Sequence, residues 1–437
     1  MTATAQTSPT DKPESPLAHL SEEQLEALAD ELDGIRDRTF ADLGDRDRRY
    51  IESMIEMQRR LAVIGRVLLL GARNGPARAA GTTSLGAAKI LENMEIGHNV
   101  LHGQWDWMND PDINSTTWDW DTASTAEAWK HSHNYVHHTY TNIRGKDKDL
   151  GYEIMRIDPQ QRWNPVYLLQ PVYNLVLAAF FEWGVALHDL DFEAIRKGTK
   201  SKAQVRRELK GIREKAKSQV VKDYVAWPLI SGLAAAATDL GLEFLAASRK
   251  HGRPRGRKGL APMLIRSLRG GAKTYRRAAA ANATANVVRN VWSYAIIFCG
   301  HFPDQTYTFS AEEVVDESRG GWYVRQMVGA ANIDGGPLFH VASGNLSYQV
   351  EHHLFPDLPS SRYAEIAPQV KDVCERFGLP YNSGPFWQQF GMVQRTILRL
   401  AFPGGAPRPK PGPYRAPEAD LNPSRSAATS PARSPAS

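Results

Sequence analysis

Cysteine is nearly absent from this chain of 437 residues: Cys299 and Cys374 are the only two. Two thiols are too few for a disulfide framework or a thiolate-held zinc or iron–sulfur site, and they fit a reducing compartment. Long apolar runs are missing as well. No window offers the roughly 20 uninterrupted apolar residues of an easy transmembrane helix, and 23% charged residues with a mean hydropathy of −0.43 read as soluble. The opening MTATAQTSPTDKPESP has no basic start followed by an apolar core, so it does not read as a secretory signal. An HPGG haem-binding segment and a glycine-rich dinucleotide fingerprint are also lacking. Any electrons the chain uses must therefore come from another protein.

What is present is basic and patchily apolar. The net charge of +5 comes largely from blocks at 196–222 and 249–277 and from the C-terminal tail. Basic segments beside apolar stretches are what anionic lipid headgroups and the positive-inside rule lead one to expect. For the first block a solvated helix face fits equally well, because KAQVRRELKGIREKAK interleaves both signs. No nucleic-acid-binding motif accompanies the charge, so nucleic acid is not an expected partner.

Apolar stretches occur at 61–72, interrupted by Arg66; at 167–187, containing Pro171 and Glu182; at 224–247; and at 283–302. Each reads equally as a buried helix or as a membrane span. Proline and charge inside a span survive only against protein or a polar cavity. The Pro-, Ser- and Thr-rich residues 1–19 and the Pro-, Ala-, Ser- and Arg-rich residues 403–437 are expected to be disordered. One domain is expected between them, at 20–402, opened by the capping box Ser21-Glu-Glu-Gln.

Three histidine clusters carry the chemistry. The first is Glu95-Ile-Gly-His98-Asn-Val-Leu-His102, with imidazoles at i and i+4 on one helix face. The second, His131-Ser-His133-Asn-Tyr-Val-His137-His138, repeats that spacing at His133 and His137. Its His138 is turned by about another 100° toward a second ion, and its His131 lies off the face. In the third, Gln349-Val-Glu-His352-His353, Gln349 and His353 share a face while His352 points aside. His301 ends an apolar stretch and can complete the set. Eight of the 13 histidines then belong to one scheme, which exceeds a four-ligand zinc site and fits two ions. A soluble di-iron carboxylate bundle would need two Glu-x-x-His motifs, and only Glu95 to His98 provides one. Glu95 reads better as an acceptor that orients an imidazole.

The runs GHNVLHGQWDWMNDP, HNYVHHTYTNIRGKDKDLGY and NLSYQVEHHLFPDLPSSRY resemble the membrane fatty acid desaturases, and within them the actinobacterial acyl-CoA type. That resemblance spans about 85–380. It implies an all-α integral membrane protein in the cytoplasmic membrane, with a cytosolic helical cap around a di-metal histidine site. It implies two iron ions that activate O2, and a cis double bond placed in a long-chain acyl thioester, acyl-CoA of Δ9 type. It further implies that His98, His102, His133, His137, His138, His301, His352 and His353 are ligands, with Gln349 in a position some members fill with histidine. The electron donor would be a separate NAD(P)H-dependent reductase or a ferredoxin-type carrier.

Trp105, Trp107, Trp118 and Trp120 can wall an acyl tunnel or belong to a membrane interface; Arg144, Lys146 and Lys148 are candidates for the CoA headgroup. Two departures stand out: Gln349 itself, and a stretch at 230–277 that is long for the family. Rival readings are a hydroxylase with the same boxes, a membrane zinc hydrolase and a non-catalytic metal- or lipid-binding protein. With all boxes on one side, the chain must cross the bilayer an even number of times between His138 and His301. Three apolar stretches lie in that interval.

Overall fold

The computed structural model describes residues 19–251 and 257–404. The two ends expected to be disordered lie, apart from His19, Pro403 and Gly404, outside the described residues. The described chain is predominantly helical, with one two-stranded parallel pairing, β1 (Asn332–Asp334) on β2 (Ser383–Pro385). Helix α1 (Glu22–Ala41) starts at the expected capping box, where Ser21 Oγ accepts from Gln24 N and Gln24 Oε1 accepts from Ser21 N. Helices α2 (Asp45–Leu70) and α3 (Gly75–Ile90) form a hairpin. Short helices α4 (Gln170–Ala179) and α5 (Phe181–His188) follow.

A π-helical segment, Val221–Ala226, joins α6 (Lys202–Val220) to α7 (Trp227–His251), and α8 (Arg257–His301) returns antiparallel to α7. The long stretch at 230–277 is thus mostly a helical hairpin. Helices α9 (Arg319–Val328), α10 (Gln349–Leu354), α11 (Tyr363–Arg376) and α12 (Phe386–Leu400) complete the cap.

Two regions differ in what they bury. The cap has an ordinary apolar core: Leu28, Leu32 and Ile35 of α1 pack with Tyr323, Met327, Phe355, Tyr363 and Val370. The stem of α2, α3, α7 and α8 is reversed. Val63, Ile64, Val67, Leu233, Leu242, Leu245, Leu264, Ile265 and Leu268 are exposed. The stem's interior instead holds ion pairs: Asp223 Oδ1 accepts from Arg66 Nη2 and its Oδ2 from Lys89 Nζ, both at 2.8 Å. At the cap end, Arg289 pairs with Glu182.

Among the described residues one helical run, Lys202–Arg249, is by length and composition long and apolar enough to cross a membrane, and only 17% of its apolar window is buried. A helix from the core of a soluble protein would have most of that window covered. The stretch at 167–187 is not one span. It divides into a 3-10 turn, Pro165–Leu169, then α4 and α5, with non-helical backbone at Phe180.

Small residues let α7 and α8 touch. A Cβ on Gly271 would stand 2.6 Å from Gly232 O and 2.9 Å from Ala236 Cβ, whereas a Cβ on Gly241 would meet nothing within 4 Å. Glycine at the crossing lets the two backbones come into van der Waals contact. Gly271→Val should therefore destabilise the protein by about 1–3 kcal/mol, read as a lower unfolding midpoint in detergent, while Gly241→Ala should not lower it. Equal midpoints for Gly271→Val and the parent would refute this account of the hairpin.

Candidate metal centre

The first two histidine clusters sit on irregular helix, the third on the short α-helix α10. Leu91–His98 is π-helical and runs into the short α turn Asn99–Leu101. The second cluster enters through Ala126–Trp129, capped by Thr125, and is again π-helical over Lys130–His137. The i→i+5 bonding of a π turn widens the helix and recurs at functional sites, so the regular α spacing expected of His133 and His137 does not hold. Their rings instead stack 5.1 Å apart. Gly97 permits the first π turn, since a Cβ there would approach Glu92 O to 2.8 Å. Helix α10 supplies Gln349, His352 and His353, all buried, and His301 is the last residue of α8.

These segments bring all eight histidines and Gln349 together. Ligand nitrogens of His98, His102, His133 and His352 lie within 4.8 Å of one another, as do those of His137, His301 and His353. That is close to the span set by two metal–nitrogen bonds of about 2 Å each. His133 and His137 also form such a group with Asp149. His138 stands between the clusters, its ring 4.8 Å from His102, 5.0 Å from His352 and 4.6 Å from His353. His131 is exposed and stacks on Tyr135, away from the cluster.

Most of these rings are oriented through Nδ1. His98 bonds Asn99 Oδ1 at 3.0 Å, His137 bonds Asp147 Oδ1 at 3.1 Å, and His133 reaches Asp149 Oδ2 at 3.4 Å. His352 pairs with Tyr363 Oη at 3.2 Å and His353 with Gln326 Oε1 at 3.1 Å. Such partners fix the tautomer and aim Nε2 inward.

Apart from His301 Nε2, which has Gln349 Nε2 at 3.0 Å, most inward nitrogens then find no protein donor. Nε2 of His102, His133, His137 and His352, both ring nitrogens of His138, and Gln349 Oε1 are buried without a hydrogen-bond partner. Nε2 of His353 and of His301 face each other at 3.3 Å, and with His353 Nδ1 donating to Gln326 its Nε2 presents a lone pair. Burial pushes His98 down to about 3, and holds His102, His138, His352 and His353 well below the usual imidazole range, so they are neutral. Burial works the same way on His137, but the carboxylates of Asp147 and Asp149 outweigh it and raise that ring to about 9; metal binding there must displace a proton. Converging neutral imidazoles with unpartnered nitrogens are a donor set for cations, and imidazole suits iron. The residues fit two metal ions.

Glu95 does not play the role expected of it. Its carboxylate accepts from Tyr50 Oη at 2.8 Å, Ser360 Oγ at 2.9 Å and Asn345 Nδ2 at 3.0 Å, tying the first cluster to the segments flanking the third. Asn99 and the Asp147/Asp149 pair do the orienting instead. Both aspartates lie in GKDKDLGY, immediately after the second cluster. An imidazole ligand needs an acceptor at its other nitrogen, and that need was the signal for them.

A cavity of about 60 Å³ reaches the centre at His98, His133, His301 and Gln349, and its walls mix apolar side chains, Met94, Trp120, Trp129, Phe181, Ile297 and Leu346, with polar ones such as Ser132, Asp149 and Asp189. Of the four tryptophans singled out, Trp120 alone lines it. Trp105, Trp107 and Trp118 pack instead with Ile51, Met54 and Ile55 of α2, so their role is in the core. Trp129, which the sequence reading passed over, stacks on His133 at 4.6 Å. Arg144 pairs with Asp158 at 3.2 Å, Lys148 with Asp191, and Lys146 lies over the Tyr140 ring. None of these three lines the cavity.

Fold and site together define a helical protein with two adjoining buried histidine clusters compatible with a metal site, reached by a small cavity. Comparison with known sequences supplies the family. The fatty acid desaturase family model matches residues 75–385. The NADPH-dependent stearoyl-CoA 9-desaturase of Mycobacterium tuberculosis is 45% identical over 386 residues, covering 88% of this chain and 82% of that protein. The sn-1 linoleoyl-lipid 6-desaturase of Synechocystis is 26% identical over 320 residues, 71% of this chain and 76% of that protein. Fatty acid desaturase 3 of Homo sapiens is 32% identical over 113 residues, about a quarter of each chain. No solved structure matches at a significant level. The chain belongs to the fatty acid desaturase family.

Asp147→Asn keeps the shape at His137 and removes the charge. It should lower metal affinity about 10- to 100-fold, measured as faster metal loss to a chelator, while His138→Ala should leave fewer than two ions per chain. Unchanged retention in both variants would contradict the ligand scheme.

Proposed function

We propose that this chain is an O2-dependent acyl desaturase that places a cis double bond, of Δ9 type, in a long-chain acyl-CoA at two histidine-held iron ions. The observation that carries the reading is the double imidazole cluster with unpartnered nitrogens opening on a cavity walled in part by Met94, Trp120, Phe181, Ile297 and Leu346. The 45% identity to a stearoyl-CoA 9-desaturase across most of both chains supports the substrate class. His98, His102, His133, His137, His138, His301, His352 and His353 would hold the metals, with Gln349 beside His301 as a further amide donor. Bound iron would supply the activation of O2 required to take hydrogen from an unactivated methylene pair. Asp147 and Asp149 keep protons on Nδ1 of His137 and His133. Trp120, Phe181, Ile297 and Leu346 exclude water and align an extended chain.

The apolar exterior and ionic interior of the stem suit a bilayer, so α2, α3, α7 and α8 are the proposed crossings of a single domain at 20–402. Helices α4 and α5, of 10 and 8 residues, are only about 15 and 12 Å long against a hydrocarbon core of about 30 Å. Two crossings then separate His138 from His301, and all histidines share one face. The basic cap end of α6 makes that face cytoplasmic. Electrons come from a separate NAD(P)H-dependent reductase or a ferredoxin-type carrier.

Expression in cells that lack Δ9 unsaturation should restore monounsaturated acyl chains, and His353→Ala should abolish the effect. A product two mass units lighter than the substrate marks desaturation. One gained oxygen would replace this reading with hydroxylation, and saturated lipids despite iron-loaded protein would sink it.

A further inference from the structure

We propose that the outer face of α6 is the docking surface for an electron-carrier protein with an acidic face, and that Trp120 and Trp129 lead inward from it to the metal ligands. The inference rests on the desaturase reading for its electron demand. Each turnover reduces O2 to two waters with two hydrogens from the substrate, two electrons from the carrier and two protons from solvent. The two irons could hold those electrons, but the sequence has no haem segment or dinucleotide fingerprint through which to draw them from a nicotinamide, so a carrier must dock.

The surface is unusual in how its charges are arranged. Lys202, Arg206, Lys210, Arg213 and Lys217 are all exposed. At 3.6 residues per turn they fall within about 80° of arc, in a stripe about 22 Å long. Lys210 has Glu214 at 3.8 Å, but among the described residues Lys202, Arg206, Arg213 and Lys217 have no carboxylate partner. On the inward side of α6 Lys215 reaches Asp119 at 2.6 Å and Glu208 takes Lys200 at 2.5 Å, while Arg207 is exposed beside the stripe. A helix that pairs its inward charges and leaves one outward stripe bare presents a strong positive field. That field steers an acidic partner and gives a fast, salt-sensitive encounter.

What lies beneath the stripe gives it a purpose. Lys215 Nζ also donates to Trp120 O at 2.5 Å, so the helix lies on the loop that carries Trp120. The ring of Trp120 is 4.9 Å from that of Trp129. Trp129 in turn is 4.6 Å from His133, 5.3 Å from His98 and 5.4 Å from His102. Electron transfer weakens steeply with distance, and this succession of ring contacts runs from the docking helix to one of the two clusters. A membrane surface is a poorer occupant, because α6 continues the spanning run of α7 outward and its stripe stands away from the bilayer.

The test uses the full-length, iron-loaded protein in detergent and, as probe, a plant-type [2Fe–2S] ferredoxin, an acidic carrier. Binding of the oxidised ferredoxin should be measurable at low salt and weaken steeply with ionic strength. The triple variant Arg206→Glu, Arg213→Glu, Lys217→Glu should bind at least tenfold more weakly and lose most of the salt dependence. No binding by the parent, or equal binding by the variant, overturns the proposal whatever the turnover. In parallel, a small uncharged photoreductant should drive parent and variant at similar rates. Loss of that activity in the variant alone would mean the reversals damaged the fold, and a circular dichroism melt matching the parent excludes it. Absence of turnover in the parent with any reductant would count against the desaturase reading and leave the binding result standing by itself.

Discussion

Everything in the cap answers to one electrostatic constraint: imidazoles, most of them held neutral by burial, are packed together with ring nitrogens that few protein groups satisfy. An unpaired polar atom in the interior costs on the order of 1–3 kcal/mol, and seven ring or amide atoms of His102, His133, His137, His138, His352 and Gln349 are in that state. Without cations such a cluster would be a large liability to the fold. With them it becomes a reason for the fold. The surrounding partners agree, since Asn99, Asp147, Asp149, Gln326 and Tyr363 each take an Nδ1 and leave the other nitrogen free for metal.

The stem obeys the opposite rule from the cap. Its outer surface carries valine, leucine and isoleucine while Arg66, Lys89 and Asp223 sit inside. Removing one member of such a buried group typically costs about 3–5 kcal/mol, because the remaining charge is stranded. The same arrangement explains why hydropathy failed as a guide. Interior charges, Arg66 and Arg289, interrupt the apolar runs and exposed ones, Arg59, Arg60 and Arg276, end them, so 61–72 and 283–302 show only fragments of helices that are 26 and 45 residues long.

Legibility therefore differed by the kind of signal. The adjacent pairs His137-His138 and His352-His353 were readable, because two neighbouring imidazoles cannot face one direction on a helix. His301 was readable only through the family resemblance. The π turns were not, since periodicity is inferred by assuming α geometry. The tryptophans misled because indole rings fit a core as well as a tunnel: Trp105 packs on α2, and Trp129, beside the second cluster, is the ring that meets the ligands. The cations of GKDKDLGY drew attention that belonged to its aspartates. The basic stretch at 196–222 was read as either lipid-directed or merely solvated, and its outward stripe appeared only when the inward pairs were known.

The central claim is a double metal centre with nitrogen ligands, and metal analysis of the purified protein tests it most directly. Protein produced in iron-replete cells and purified anaerobically should carry two irons per chain, with a Mössbauer signature of nitrogen-rich, exchange-coupled sites after oxidation. A single bound zinc, or full acyl turnover in metal-free protein, would contradict the account.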